Sequence, residues 1–144
     1  MENMNREILF RGKHIHAMDS NEHLNGTWVH GYLSDKDYIY DKSLEGEFLV
    51  DENTICQYTE LNDKNGKKIF EGDVVKDSAG VCGEVKFGLY AAGFSIPDTN
   101  QGFYIEFPEK SLYREELGYW RNKIVVVGNV FDNPELLEKA KGDK

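Results

Sequence analysis

The sequence predicts a mainly β protein, a small SH3-like barrel with an N-terminal β extension and a short C-terminal helix. Three observations lead there. The 8 Tyr, 8 Phe and 2 Trp lie among many Val, Ile and Gly residues, a mixture that favours strands and turns. Apolar and polar residues alternate over short runs, with the period of two that a half-buried strand requires. Gly-containing turns separate these runs at close spacing, as in small barrels and sandwiches.

In chain order, Glu7-Ile8-Leu9-Phe10-Arg11 reads as a first strand and Met18 to Gly26 as a polar, turn-like segment. Thr27 to Leu33 reads as a second strand, with Trp28, His30 and Tyr32 on one face. After a turn at Ser34 to Asp37, Tyr38-Ile39-Tyr40, Glu47 to Val50 and Thr54 to Tyr58 read as short strands. Asp63-Lys64-Asn65-Gly66 is a strong turn signal, because Asn and Gly accept positive φ and Asp bonds back to the backbone. Lys68 to Glu71 is a brief extended piece, Gly72 bends the chain, and Asp73 to Lys76 starts a new strand. Val81 to Phe87 alternates. Gly88 to Gly102, rich in Gly, Ala, Asn and Pro, reads as a long loop, and Phe103 to Phe107 as a strand.

Ser111 to Gly118 has the pattern of one or two helical turns, with Tyr113 and Leu117 on one side. Lys123 to Phe131 reads as a strand apolar enough to be buried on both faces. Asn133-Pro134-Glu135 has a cap residue, Pro at the first position and an acid in the first turn, which starts a helix. The expected organisation is a β extension over residues 1–55, the barrel over 56–132, and a helix and tail over 133–144. The extension is too small to be stable alone.

The stretch "QYTELNDKNGKKIFEGDVVK", Gln57 to Lys76, resembles the signature of the YopX family of phage and prophage proteins. Gln57, Tyr58, Thr59 and Leu61 match its first part, and Asp63, Lys64, Asn65 and Gly66 its second. Ile69, Phe70, Glu71, Gly72 and Asp73 match its third part. The closing "VVGNVFDNPELL", with Gly128, Asn129, Asn133 and Pro134, resembles the family's ending. Arg6 to Arg11 resembles its beginning. Two positions depart from the pattern. Glu60 stands where the family usually has Gly, which argues against a positive-φ turn there, and Gly12 stands where an aromatic residue is common. The resemblance implies a mostly β fold and a phage or prophage origin. It implies no established activity and no catalytic residues, so the matched residues read as structural.

Charge and length exclude several functions. The net charge is −9. Residues 1–54 carry 5 basic and 11 acidic residues, and residues 55–144 carry 12 basic and 15 acidic, so both parts repel a phosphate backbone at long range. Nucleic acid is therefore not the expected partner. The longest strongly apolar run, Ile124 to Val127, is far too short to span a membrane, and the polar first seven residues lack a signal-peptide core. The expectation is a cytoplasmic protein of a bacterial host cell, with Cys56 and Cys82 as reduced structural thiols.

The best constellation for metal chemistry is "KHIHAMDSNEH". If residues 13–17 are extended, His14 and His16 share a face, and Asp19 or His23 can complete a ligand set. The preferred reading turns Ile15 and Ala17 to the core and the histidines to water, because His-x-His alone lacks the spacing of a known site. No cofactor is expected. Lys64, Lys67 and Lys68 form a basic cluster near Tyr58 and Phe70. With only three lysines it reads as a solvated turn balanced by Asp63 and Glu71. The function expected from sequence is a non-enzymatic protein-interaction or self-assembly module, with a protein partner of unknown identity or a second copy of the chain. In the homo-oligomer, residues 1–55 supply much of the interface. A nucleic-acid accessory protein is the alternative, and an enzyme or metal-binding protein the third reading.

Overall fold

A computed structural model describes residues 8–15, 26–91, 99–108 and 115–137. The fold is mainly β, as the alternation predicts, in two antiparallel sheets. The strands are β1 Phe10–Lys13, β2 Trp28–Asp35, β3 Tyr38–Asp41, β4 Gly46–Leu49, β5 Cys56–Asn62, β6 Lys68–Phe70, β7 Asp73–Lys76, β8 Cys82–Ala91, β9 Thr99–Glu106 and β10 Val125–Asn129. A short helix, α1, spans Leu117–Trp120. One sheet has the order β4-β3-β2-β1-β5-β6 and the other β10-β7-β8-β9. The chain divides into two compact units, Met1–Glu60 and Leu61–Lys144.

In the N-terminal unit, alternation sends Val29, Ile39 and Phe48 to one side of the sheet, where they form a core with Val50. Phe10 and Ile55 pack against it. The sheet rolls, so that Val50 bridges back to His14 and the Asp51 N–H donates to the Lys13 carbonyl at 2.9 Å. Gly12 makes this approach possible, because a Cβ there would lie 3.0 Å from that of Val50. An aromatic residue at position 12 would not fit.

In the C-terminal unit, Ile69, Val75, Val85, Ile105, Leu117 and Ile124 form the core, each at most 1% exposed. Gly72 has φ +88°. In that left-handed conformation its N–H donates to Val85 and its carbonyl accepts from Val130, both near 2.9 Å.

Several expectations are corrected. No closed barrel is found among the described residues. Strand β5 is drawn instead to β1, with Gln57 opposite Phe10 and Cys56 opposite Arg11. Both ends of the expected loop from Gly88 to Gly102 are strand instead, because β8 continues to Ala91 and β9 begins at Thr99, and residues 92–98 lie outside the described residues. Cross-strand rings hold this ribbon together, Phe87 against Phe103 at 5.0 Å and Tyr90 stacked on Tyr104 at 5.7 Å. Strand β10 is not buried on both faces. It lies at the edge of its sheet, a register shift falls between Val126 and Gly128, and Val127 is 37% exposed. Of the helical turns expected over 111–118, residues 109–114 lie outside the described residues, Glu115 and Glu116 are not helical, and α1 starts at Leu117. At the end of the chain a helical turn covers residues 135–137. The rest of the expected 133–144 helix lies outside the described residues.

Candidate functional site

The matched residues around Asn65-Gly66 form a closed turn. The Asp63 N–H donates to the Lys67 carbonyl, and Gly66 takes φ +85° to return its N–H to Asp63. The Asp63 side chain is 6% exposed. Its Oδ1 accepts from the N–H groups of Asn65 at 2.8 Å and Lys67 at 2.9 Å, and its Oδ2 accepts from Val126 at 2.9 Å. One carboxylate therefore shapes the turn and ties it to β10.

Asp73, 2% exposed, accepts the Phe70 N–H at 2.7 Å and so fixes the bend at Glu71-Gly72. Ile69 and Phe70 are buried on either face of β6, Tyr58 and Thr59 are buried on β5, and Gln57 is half-buried beside them. The closing residues act alike. The Asn133 Oδ1 accepts from Asn129, and the Asn129 Oδ1 accepts from Phe131 and Asp132. Gly128 is required because a Cβ would lie 2.5 Å from the Asn133 Oδ1. Pro134 opens the final turn, receiving the Leu137 N–H on its carbonyl.

Glu60 corrects the sequence expectation, because it holds φ +72° inside β5 although it is not glycine. A non-glycine residue in that region costs of order 1–2 kcal/mol, partly offset by the greater freedom glycine has in the unfolded chain. Glu60→Gly is expected to stabilise the protein by about 1 kcal/mol in a urea titration. A decrease in stability would show that the Glu60 side chain contributes more than its backbone loses.

His14 is turned inward, 3% exposed, and its neighbour Ile15 is 40% exposed. This reverses the faces expected from sequence. The sheet roll causes it, because even positions of β1 face the core that Val50 closes. The His14 Nδ1 lies 2.9 Å from the Leu49 carbonyl, which makes it the donor, and the ring meets Phe48 edge-on at 5.2 Å. His16, Asp19 and His23 lie outside the described residues. Among the described residues, no three His, Cys, Asp or Glu side chains converge as a metal site requires. Cys56 and Cys82 are buried free thiols.

The surface that stands out is the outer face of the N-terminal sheet. Trp28, His30 and Tyr32 alternate on it as predicted. The ladder sets Lys13 opposite Trp28, Arg11 opposite His30, and Tyr40 opposite Tyr32. Tyr32 is 56% exposed and its ring lies 5.4 Å from that of Tyr40, while Tyr38 is 38% exposed on the same strand as Tyr40. The Arg11 guanidinium is 4.7 Å from the Trp28 ring centre and the Lys13 ammonium 5.6 Å. Sequence reading missed these cations, because only the strand register places them under the indole.

Desolvation, and then the Arg11 charge, lower the His30 pKa, with Asp41 opposing. The ring is therefore neutral at pH 7. Burial pushes Asp41 up, but hydrogen bonds from the Ser43 hydroxyl and from the N–H groups of His30, Leu44 and Ser43 outweigh it and lower its pKa. Asp41 thus fastens β3 to β2 under the aromatic face.

The chain matches the family described as YopX protein over residues 9–138. The chain belongs to the YopX family. No curated protein matches it. In this YopX-family chain the match spans both the turns held by Asp63, Asp73 and Asn133 and the aromatic face. Among the described residues, no helix is long and apolar enough to cross a membrane.

Proposed function

We propose that this YopX-family chain is a non-enzymatic interaction module of phage or prophage origin that assembles with itself in the cytoplasm of a bacterial host. The outer aromatic face of the N-terminal sheet carries this reading. Trp28, Tyr32, Tyr38 and Tyr40 present rings on a single-layer surface whose opposite side holds the core. Tyr and Trp are the residues that dominate interface energetics, since a rigid ring buries much area at little entropy cost.

A second copy is the occupant that charge favours. Residues 1–60 carry 5 basic and 12 acidic residues, yet the ladder gathers Lys13 onto this face above the buried Arg11, with Glu47 opposite Tyr40. A two-fold contact can set Lys13 of one copy against Glu47 of the other, which makes the face self-complementary. Light scattering on a sizing column at ~0.15 M salt, where long-range repulsion is mostly screened, is expected to give twice the chain mass of 16.5 kDa. Tyr32→Ser combined with Tyr38→Ser is expected to return a folded monomer. A wild-type monomer at high protein concentration would overturn self-assembly.

A further inference from the structure

We propose that the C-terminal unit also binds single-stranded nucleic acid, through a basic patch that three separate segments build around Ile124. This goes beyond self-assembly and uses a different surface. From sequence, Lys64, Lys67 and Lys68 stood alone, with Tyr58 and Phe70 as the aromatics beside them. Those rings are 6% and 4% exposed, so neither can stack on a base. The fold replaces both deficits.

The Lys64 N–H donates to the Ile124 carbonyl at 3.2 Å, which brings the basic turn to the segment Arg121–Lys123 that precedes Ile124. In the adjoining ladder Lys76 stands opposite Val125. Lys64, Lys67, Lys76, Arg121 and Lys123 are all exposed. Among the described residues, no ion pair engages Lys64, Lys67, Lys76 or Arg121. Two carboxylates of these segments bond to backbone groups. Asp63 accepts three backbone N–H groups, and the Asp77 Oδ1 accepts those of Ala79 and Val81.

Beside the cations lies Tyr119, 39% exposed, with the Lys123 ammonium 4.5 Å from its ring centre and donating to its carbonyl. Cations following a phosphate chain, with an aromatic ring for a base, are what single-strand recognition uses. The chain's net charge of −9 decides between strand types. A flexible strand can hold its phosphates at the patch while its remainder avoids the acidic surface. A stiff duplex cannot, so the proposed ligand is a single strand.

The test is fluorescence anisotropy of a labelled oligothymidylate of about 20 nucleotides with the full chain at ~50 mM salt. Binding is expected, with log K falling against log salt at a slope of about −3.5 for five neutralised phosphates. Lys64→Glu with Arg121→Glu, both on exposed side chains, should abolish binding while the melting curve is kept. Tyr119→Ala should weaken binding several-fold and leave the salt slope unchanged. Absence of binding at ~50 mM salt, or binding indifferent to the charge reversals, would overturn the proposal. So would displacement of the oligonucleotide by poly-glutamate at equal charge, because the patch would then fit an acidic protein segment. A monomeric wild-type chain that still bound the oligonucleotide would sink only the assembly reading.

Discussion

Gly31→Ala is expected to lower stability by about 3–5 kcal/mol, among the largest effects for a single methyl group in this molecule. A Cβ at Gly31 would stand 1.7 Å from the Tyr40 carbonyl oxygen and 2.8 Å from its carbon. Both are backbone atoms in a strand paired on two sides, so neither can rotate away. The close approach is built by Asp41, whose Oδ2 accepts the His30 N–H at 2.9 Å and draws β3 against β2. Relieving the clash means parting these strands where the Tyr32–Tyr40 pair begins. The variant should therefore lose the aromatic face along with stability. Gly118→Ala, with nothing within 4 Å of its added methyl and a place in α1, is the contrast and should be neutral or slightly stabilising. Urea titrations of both variants check this. A Gly31→Ala protein within 1 kcal/mol of wild type would mean that β2 and β3 separate at little cost.

What the sequence made legible was local. Asp63-Lys64-Asn65-Gly66 announced its turn because each residue type acts within a few positions of itself. Strand β7 fell where the bend at Gly72 put it, at Asp73–Lys76. The placement of Trp28, His30 and Tyr32 on one face followed from the period of a strand alone. Glu60 was legible in reverse. Its non-glycine identity argued against positive φ, and tertiary structure overrode that preference.

What stayed hidden was pairing. Nothing near Cys56 says that β5 will take β1 as its neighbour and leave a barrel unclosed. Gly88 and Gly102 read as loop residues one at a time. Set opposite each other in the ladder, next to the Phe87–Phe103 pair, they sit inside a long ribbon. His14 turned inward because the sheet rolls, which depends on Val50, 36 residues away. The basic patch is hidden for the same reason, since Lys64, Lys76 and Arg121 are brought near Ile124 only by a long-range backbone bond and by the pairing of β7 with β10.

Asp63→Ala is the second large effect expected, a loss of about 4 kcal/mol. Three backbone N–H groups would lose a charged acceptor in a site only 6% exposed to water. Hydrogen bonds to a charged group contribute about 1.5–3 kcal/mol each, and bonds sharing one carboxylate do not add fully. Asp63→Asn should cost less, about 2 kcal/mol, because it keeps one oxygen but presents an N–H2 group to a donor. The two variants separate lost volume from lost acceptors. Amide exchange adds a local readout, in which Asn65, Lys67 and Val126 should lose protection ahead of the core strand β8. Function is coupled to the same carboxylate. Asp63 and the Lys64–Ile124 bond are the links that hold the basic turn beside Arg121 and Lys123. In the Asp63→Ala protein, below its unfolding transition, oligothymidylate binding should therefore weaken although a negative charge has been removed. Simple electrostatics predicts tighter binding instead. If affinity rises, the turn does not need its tether to present its lysines, and Asp63 serves stability alone.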